Sequence, residues 1–307
     1  MKKIIVTAKT HPYLIEHLTQ KGYNVLYNKT MNYETLFKEI KDAYGVITTT
    51  SILFDKAMID EAKQIQWLGR LGSGMEHIDV EYATSKGIKC ISSPEGNCNA
   101  VAEMALGMLL NLLRNITTSS QEVKQLIWKR DENRGTELRG KTVAIIGFGH
   151  TGSAFAKLLE PFGVKLLAYD KYKNGFGNHF VKESNLQEIF DEADVVSFHL
   201  PLTNEVKYFA NESFFNQFKK NIILLNTSRG EVVKTDDLIK SLYSNKVLAC
   251  GLDVLENEKL NSLSSIQKNQ LTTLLSMPNV LITPHIAGYT QEALLKMGMV
   301  LLQKLDL

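Results

Sequence analysis

The chain has 307 residues, a length that suits about two domains of ~150 residues each. Hydrophobic residues make up 44% of the composition and charged residues 22%, which is typical of globular proteins. The net charge of +2 excludes a strong attraction to nucleic acid or membrane surfaces, and no apolar run approaches the ~18 residues of a membrane span.

The cysteine content favours a reducing compartment. The chain has three cysteines, Cys90, Cys98 and Cys250, and their spacing forms no metal-binding pattern. Cys90 and Cys250 lie inside strand-like runs, where a thiol behaves as a small apolar side chain. We therefore expect no metal site and a cytoplasmic location.

Strand-like and helical patterns alternate in the first part of the chain. Strands are predicted at residues 4–8, 24–27, 45–48, 67–71 and 89–91. Helices are predicted at residues 13–21, 33–40, 56–62 and 80–85, followed by two more at 100–115 and 118–129. Repeated β-α units of this kind form a parallel sheet that is covered by helices on both faces.

A second alternating series begins at Lys141, after a polar loop. Its strands are predicted at residues 143–146, 165–169, 195–198, 222–226, 248–251 and 280–283. Strands in this number, with helices between them, match a complete dinucleotide-binding sheet. The amphipathic segment 291–305 follows this sheet, so we expect it to return to the first domain.

These patterns predict an α/β protein with two doubly wound parallel sheets. A flavodoxin-like substrate domain would comprise residues 1–98 and 286–307, and a Rossmann cofactor domain would comprise residues 99–285. Two chain crossings between them would leave a cleft, and small ligands commonly bind in such clefts.

A glycine pattern lies directly after the first strand of the second series, in KTVAIIGFGHTGSAFAKLLE. Gly147 suits a tight turn, Gly149 lets the backbone approach a pyrophosphate, and Gly152 lets the next helix pack close to the strand. Asp170 ends the following strand, eighteen residues after Gly152, where an acid is expected to bind ribose hydroxyls. An ordinary strand–turn–helix would also use glycines, but the complete context favours dinucleotide binding.

Three further segments stand at strand ends of the second series: NTSRG with Arg229, DVLENE with Glu258, and PHIAG with His285. None of the three is decisive alone, because an arginine can cap a helix, loop acids are usually solvated, and a histidine beside glycine is often structural. Ligands nevertheless bind at the carboxyl ends of parallel strands. Together the three residues suit one reaction, in which Arg229 clamps a carboxylate, His285 transfers a proton and Glu258 orients the imidazole.

These motifs, in this order, resemble the D-isomer-specific 2-hydroxyacid dehydrogenase family over nearly the full chain. The resemblance implies an NAD-dependent oxidoreductase with Arg229, Glu258 and His285 as catalytic residues. It also implies a set of residues that bind NAD. This set consists of Gly147, Gly149, His150, Thr151, Gly152, Asp170, His199, Pro201, Thr227 and Asp253, the last beside the nicotinamide carboxamide.

The first domain resembles the same family in its glycine loop, GRLGSG. The resemblance implies that backbone N–H groups around Ser73 and Gly74 bind the substrate carboxylate, and that Asn97 belongs to a hinge segment facing the nicotinamide. Arg70 resembles an arginine of the phosphoglycerate dehydrogenase branch that can meet a substrate phosphate. A salt-bridged or strand-buried Arg70 is the alternative.

Two features depart from the family pattern. Lys259 follows Glu258 where the family usually has proline, and the segment 260–277 is long. Its apolar residues suggest one or two short helices. We also expect no regulatory domain after residue 307 and no control through such a domain.

The substrate is predicted to be a small 2-hydroxy or 2-keto acid. The leading hypothesis is oxidation of 3-phosphoglycerate to 3-phosphohydroxypyruvate, the first step of serine synthesis. The alternative is reduction of glyoxylate, hydroxypyruvate or another 2-keto acid. A hypothesis of a different class also stays open, namely that the protein is an NADH-binding corepressor, since such corepressors use the same fold. Asp170 favours NAD, although Lys171 and Lys173 leave some use of NADP open.

The expected assembly is a homodimer. In the family that the chain resembles, the helices before the glycine strand form the subunit contact, and these correspond here to residues 101–129. The apolar residues of this segment, Met104 and Met108 among them, would serve equally well in the core of one domain.

Overall fold

The computed structural model describes all residues from Met1 to Leu307, and these form two compact units. One unit comprises Met1–Cys98 and Gly288–Leu307, and the other comprises Asn99–Ala287. The predicted ranges had placed Ile286 and Ala287 in the first unit. They belong to the second because their backbone N–H groups donate to the carboxylate of Asp253. The roles of the units in substrate and cofactor binding stay predictions.

The first unit contains a five-stranded parallel sheet in the order β2-β1-β3-β4-β5. Its strands are β1 (Lys3–Val6), β2 (Asn24–Tyr27), β3 (Ala43–Thr48), β4 (Trp67–Arg70) and β5 (Lys89–Ser92). This order is the flavodoxin-like one, in which the chain reverses direction across the sheet between the first and third strands.

Helices cover the first sheet, and polar side chains begin most of them. They are α1 (Pro12–Gln20), α2 (Tyr33–Glu39), α3 (Lys56–Glu61), α4 (Val80–Ser85) and α12 (Gln291–Leu305), with a short 3₁₀ turn at Ile40–Asp42. Asn32, Asp55 and Asp79 accept from first-turn amides of α2, α3 and α4, which satisfies donors that a helix leaves unpaired. The last helix returns to this unit as expected, since Lys304 Nζ donates to Ser92 O and Glu95 Oε2.

The second unit contains a seven-stranded parallel sheet in the order β12-β11-β10-β9-β6-β7-β8. Its strands are β6 (Thr142–Ile146), β7 (Lys165–Tyr169), β8 (Val181–Glu183), β9 (Val195–Phe198), β10 (Ile222–Asn226), β11 (Val247–Leu252) and β12 (Val280–Ile282). Counted from β6, the first six strands follow the dinucleotide-binding order 3-2-1-4-5-6, with one strand added. The prediction missed β8, which has only three residues, two of them charged and exposed.

Two of the helices around the second sheet have bounds that differ from the predicted ones. They are α5 (Pro94–Arg114), α6 (Ile116–Lys124), α7 (His150–Leu159), α8 (Leu186–Glu192), α9 (Glu212–Gln217), α10 (Thr235–Tyr243) and α11 (Ser265–Ser276), with 3₁₀ turns at Glu160–Phe162, Gly230–Val232 and Leu260–Ser262. Helix α5 begins at Pro94 rather than residue 100, because proline fits a first helical turn. Helix α6 ends at Lys124 rather than residue 129, before Leu126 with a φ of 61°.

The second sheet is buried on both faces. Along β6, Ala144 and Ile146 belong to one apolar cluster, whereas Val143 and Ile145 belong to another. Alternate side chains of a strand point to opposite faces, so the two clusters are the two sides of one sheet. This explains the continuous apolar runs of its strands. No helix in the structure is long and apolar enough to cross a membrane.

Candidate active site

The glycine turn after β6 leaves no room for side chains at two positions. Gly147 has a φ of 96°, which L side chains rarely adopt. A Cβ at Gly147 would overlap the carbonyl oxygen of His199, and one at Gly152 would overlap the carbonyl oxygen of Gly147. The turn therefore requires glycine at both positions, and it brings helix α7 against β6 and the end of β9.

The N-terminus of α7 suits an anion. Its N-cap is Gly149, and no side chain caps the first turn. A Cβ at Gly149 would meet nothing within 4 Å, so the space in front of the turn is open. The first-turn amides, which include those of Thr151 and Gly152, and the positive end of the helix dipole face that space. This arrangement fits a pyrophosphate.

Asp170 follows β7 and is held in place by the backbone. Its Oδ2 accepts from Phe148 N at 2.8 Å, and its Oδ1 accepts from Tyr172 N at 2.9 Å and Lys173 N at 3.1 Å. A carboxylate has about four acceptor sites, so one remains on Oδ2. Asp170 is only half-buried, and it can therefore still accept a hydrogen bond from a ribose hydroxyl.

Two buried polar atoms near the ends of β9 and β10 have no hydrogen-bond partner. They are Nδ1 of His199 and Oγ1 of Thr227. Buried polar groups are normally paired, so a ligand at this edge of the sheet would satisfy them. His199 Nε2 lies 2.8 Å from Ser197 Oγ, and burial lowers the pKa of His199 to about 3, so the ring is neutral. Pro201 is exposed in the loop that follows.

A bound dinucleotide fits three features of this region together. They are the glycine turn, the remaining acceptor site of Asp170 and the two unpaired buried atoms. They lie at the carboxyl ends of the central strands β6, β7, β9 and β10, which are neighbours in the sheet. Open parallel sheets bind ligands at this edge. No group of three or more His, Cys, Asp or Glu residues in the structure could hold a metal ion.

Arg229 lies three residues beyond the end of β10. Asn226 Nδ2 donates to Arg229 O at 2.8 Å, and Arg229 Nη1 donates to Ser228 O at 2.7 Å. Gly230 packs so closely on Leu255 that a Cβ would overlap its carbonyl oxygen. The arginine segment thus lies against the segment after β11 that leads to Glu258. Its guanidinium suits a carboxylate held by two parallel hydrogen bonds.

His285 and Glu258 are in direct contact. His285 Nδ1 lies 2.8 Å from Glu258 Oε2, and the two side chains are 46% and 42% exposed. The carboxylate is an acceptor only, so Nδ1 carries the proton in this contact and Nε2 is left to face a reactant. His285 also has a φ of 54°, an uncommon conformation for a residue other than glycine.

Asp253 holds the backbone around His285. Its carbonyl oxygen accepts from His285 N at 2.8 Å, and its carboxylate accepts from Thr283 Oγ1, Ile286 N and Ala287 N. The side chain is buried, with 1% of the residue exposed. Asp253 was predicted to contact the nicotinamide carboxamide. In the structure its carboxylate accepts only from the histidine loop, while its backbone N–H donates to Asn226 O at 3.0 Å. The neighbouring acid Glu256 accepts from Tyr208 Oη and Thr235 N.

The predicted substrate residues of the first unit surround a tight loop. Gly72 has a φ of 129°, Gly72 N donates to Ser93 Oγ at 3.1 Å, and Ser93 N donates to Gly72 O at 2.9 Å. Ser73 is exposed and Gly74 is half-buried. Ser93 was not predicted, because its signal is a lone serine after a strand.

The other two predicted substrate residues are Arg70, which ends β4, and Asn97, which lies near the start of α5. Arg70 Nη1 donates to the carbonyl oxygen of Leu71, so the guanidinium turns back onto its own loop. Asn97 lies in the first turns of α5, and its Oδ1 is buried without a partner. Asn97 is therefore available to a ligand.

Comparison with known proteins gives a match to one family. The sequence profile described as D-isomer specific 2-hydroxyacid dehydrogenase, NAD binding domain, matches residues 106–287. The chain is 34% identical over 272 residues to the hydroxypyruvate reductase of Thermotoga maritima, covering 89% of this chain and 87% of the relative. It is 31% identical over 301 residues to the D-3-phosphoglycerate dehydrogenase of Archaeoglobus fulgidus, covering 97% of this chain but only 56% of that relative.

Solved structures agree with this match. The crystal structure of D-lactate dehydrogenase from Aquifex aeolicus, complexed with NAD and lactic acid, is 27% identical with a TM-score of 0.84. The alignment covers 99% of this chain and 94% of that one.

Proposed function

The chain belongs to the D-isomer specific 2-hydroxyacid dehydrogenase family, and we propose that the His285–Glu258 pair performs the proton transfer of its reaction. The protein is an NAD-dependent oxidoreductase that acts on 2-hydroxy acids or the corresponding 2-keto acids. The observation that supports the proposal is the 2.8 Å contact between His285 Nδ1 and Glu258 Oε2.

In this proposal His285 is the general acid and base. The edge of the sheet between Gly147 and Asp170 would hold NAD, which would supply the transfer of hydride to and from C2 of the substrate. With Nδ1–H donated to Glu258, His285 Nε2 takes the proton of the C2 hydroxyl during oxidation. In reduction the protonated ring returns that proton to the oxygen on C2. Glu258 keeps the imidazole in one tautomer and stabilises its positive charge after proton uptake.

Arg229 is proposed to bind and orient the substrate. Its position at the end of β10 is fixed by the bond from Asn226 Nδ2 to its carbonyl oxygen. A guanidinium can form two parallel hydrogen bonds with a carboxylate or with the carboxylate and the keto oxygen. In the first unit, the amides of the loop at residues 72–74 and the side chain of Asn97 are proposed to bind substrate as well.

For the substrate we propose 3-phosphoglycerate and its oxidation product, 3-phosphohydroxypyruvate. The support is the similarity to D-3-phosphoglycerate dehydrogenases. The alignments with the enzymes of Archaeoglobus fulgidus and Saccharomyces cerevisiae cover 97% and 96% of this chain. Arg70 would contact the phosphate after its guanidinium leaves Leu71 O. The chain spans only 56% and 64% of the length of those two relatives. Their activity is therefore only proposed for this chain.

Hydroxypyruvate is the second candidate, because Arg70 Nη1 donates to Leu71 O. An arginine whose guanidinium is hydrogen-bonded to its own loop contributes less to the binding of a phosphate. The hydroxypyruvate reductase of Thermotoga maritima also matches over most of its length. The two candidates share a three-carbon skeleton and differ only in the phosphate.

A substrate comparison tests both candidates. The specificity constant kcat/KM is measured for 3-phosphohydroxypyruvate, hydroxypyruvate and glyoxylate with NADH, in wild type and in Arg70→Met. The first candidate predicts that the phosphorylated substrate is preferred in wild type and that the preference is lost in Arg70→Met. Preference for hydroxypyruvate in both proteins would replace the first candidate with the second. Absence of turnover with any 2-keto acid would contradict the proposed reaction itself.

We also propose that the protein forms a homodimer through residues 116–128. This segment exposes an unusual amount of apolar surface: Leu126 is 96% exposed and Trp128 is 83% exposed, beside partly exposed Ile116 and Val123. Large exposed apolar patches commonly mark interaction sites. Light scattering of wild type and Trp128→Ser tests the proposal. A monomer in wild type would contradict it.

A cytoplasmic location is likewise our proposal. All three cysteines are free, and burial raises the pKa of Cys250 to about 12, so its thiol stays protonated. Free thiols fit a reducing compartment. Cell fractionation with antibody detection tests the location.

A further inference from the structure

The residues after Asp170 combine opposite charges beside the predicted ribose site. Lys171, Tyr172 and Lys173 directly follow the acid, and the carboxylate of Asp170 accepts from the amides of Tyr172 and Lys173. A dehydrogenase that uses NADP commonly places a cation here for the additional 2′-phosphate. The two lysines would therefore favour NADP if their charges were available.

Glu205 forms hydrogen bonds with this segment, although it follows a different strand. It lies in the loop after β9, and its Oε2 accepts from Lys171 Nζ at 2.6 Å and from Tyr172 Oη at 2.9 Å. Its hydrogen bond raises the pKa of Lys171, and the pKa of the Glu205 carboxyl is lowered by its hydrogen bonds from Lys171 and Tyr172. Both groups are therefore charged at neutral pH. Lys173 Nζ donates to Phe148 O, at 3.2 Å.

We propose that Glu205 determines the preference for NAD over NADP by keeping Lys171 and Tyr172 engaged. With Glu205 present, two carboxylates balance the two lysines, so the site has no net attraction for a 2′-phosphate. Such a phosphate carries a charge of about −1.5 to −2 at neutral pH. Without the Glu205 charge, the Lys171 cation becomes available to the phosphate. The proposal rests on the use of a nicotinamide dinucleotide at the Gly147–Asp170 edge of the sheet.

This role is separate from that of Asp170. Three backbone amides fix the carboxylate of Asp170, so its orientation does not depend on Glu205. Asp170 would bind the ribose hydroxyls of NAD, and Glu205 would act on the neighbours of Asp170. The glycine pattern gives no hint of Glu205, because it follows a different strand and its partners become visible only in the fold.

Cofactor binding to Glu205→Gln tests the proposal. Glutamine keeps the length of the side chain and an acceptor for Tyr172, and it removes only the charge. The dissociation constants of NADH and NADPH are measured by titrating the nicotinamide fluorescence of each cofactor in the absence of substrate. We expect NADPH to bind roughly 10-fold more tightly than to wild type, which is the scale of one charge acting on a phosphate near a surface. The dissociation constant of NADH should change by less than about twofold, because NADH carries no 2′-phosphate.

Two further variants separate the mechanism from other causes. Lys171→Gln in the Glu205→Gln background should abolish the gain for NADPH, because the released cation is its source. Asp191→Asn breaks another lysine–carboxylate pair, in which Asp191 Oδ1 lies 3.0 Å from Lys219 Nζ, and should change neither dissociation constant.

Three results would overturn the proposal. One is an unchanged NADPH constant in Glu205→Gln, and another is a gain that survives in the double variant. The third is weaker binding of both cofactors together with a lower Tm, which would make Glu205 a structural support of its loop. Failure to bind either cofactor in wild type would instead contradict the use of NAD, so the two failures are distinguishable.

Discussion

Two aspartates of the second unit have the same hydrogen-bonding pattern and different consequences. Asp170 and Asp253 each follow a strand of the sheet, and each carboxylate accepts three hydrogen bonds from nearby groups. Asp170 is half-buried, with an acceptor site still available, whereas Asp253 is buried beneath the loop of His285. The spacing after the glycine pattern had predicted Asp170 as a ligand of NAD, and the resemblance to the dehydrogenase family had implied a contact of Asp253 with the nicotinamide carboxamide.

The difference shows what a strand end specifies. It determines that a side chain lies at the ligand-binding edge, whereas the surroundings of the side chain in the fold determine whether it supports the backbone, a ligand or both. Asp170 keeps the glycine turn and the next loop in place while remaining accessible. Asp253 instead stabilises the positive φ of His285, which is costly for a residue with a Cβ. We therefore expect replacement of the two aspartates to affect different steps.

The largest effect is expected at His285, the residue that Asp253 positions. His285→Gln should lower kcat by roughly 10²- to 10⁴-fold, because the general acid and base is lost. NADH binding, measured by fluorescence titration, should stay unchanged. A kcat close to that of wild type would remove His285 from the reaction.

Asp253→Asn is expected to weaken the catalytic loop and leave the cofactor site intact. Asparagine keeps one oxygen and turns an NH₂ group toward an amide that now donates to Asp253. Leaving that buried donor unpaired should lower the free energy of unfolding by about 1–3 kcal/mol. We expect a lower kcat with an unchanged dissociation constant for NADH. Weakened NADH binding with unchanged stability would instead support the predicted contact with the nicotinamide carboxamide.

Asp170→Ala should give the opposite result. The KM for NAD should rise by about 10-fold or more, the scale of a hydrogen bond to a charged group, and kcat should change little. Steady-state kinetics over a range of NAD concentrations measure both values. Unchanged NAD kinetics would mean that Asp170 only supports the turn.

The effect that is smallest at neutral pH concerns stability, which should change only in acid. Burial lowers the pKa of His199 to about 3 from an ordinary 6.5. The unfolded chain therefore binds a proton below pH ~6.5 that the folded protein does not, so stability is lost as the pH falls toward ~3. Urea unfolding should show His199→Asn losing about 1.4 kcal/mol less per pH unit than wild type in this range. The exposed His179, changed to Gln, serves as control, and equal slopes in His199→Asn and wild type would contradict the expectation.

The sequence predicted both parallel sheets because buried strands and amphipathic helices leave strong periodic signals. It did not predict β8, whose three residues include exposed Lys182 and Glu183. It predicted a break between α5 and α6, but not that a single residue, Asn115 with a φ of 52°, forms it. Asparagine tolerates that conformation, but the residue type alone does not require it.

The candidate site was predictable at the level of residue types. The motifs with Glu258 and His285 were visible in the sequence, and the structure brings the two side chains into contact. The backbone of His285 was not predictable, because its conformation depends on Asp253, thirty-two residues earlier in the chain. Long-range hydrogen bonds of this kind leave no local pattern.

The most direct test of the reaction uses single-turnover reduction of a 2-keto acid by enzyme-bound NADH, followed by the loss of absorbance of the reduced nicotinamide. Wild type, His285→Gln and Glu258→Gln are compared with hydroxypyruvate and 3-phosphohydroxypyruvate. The account predicts rapid oxidation of NADH in wild type, a severe loss of rate in His285→Gln and an intermediate rate in Glu258→Gln, with NADH bound equally by all three. Equal rates in the three proteins would contradict it.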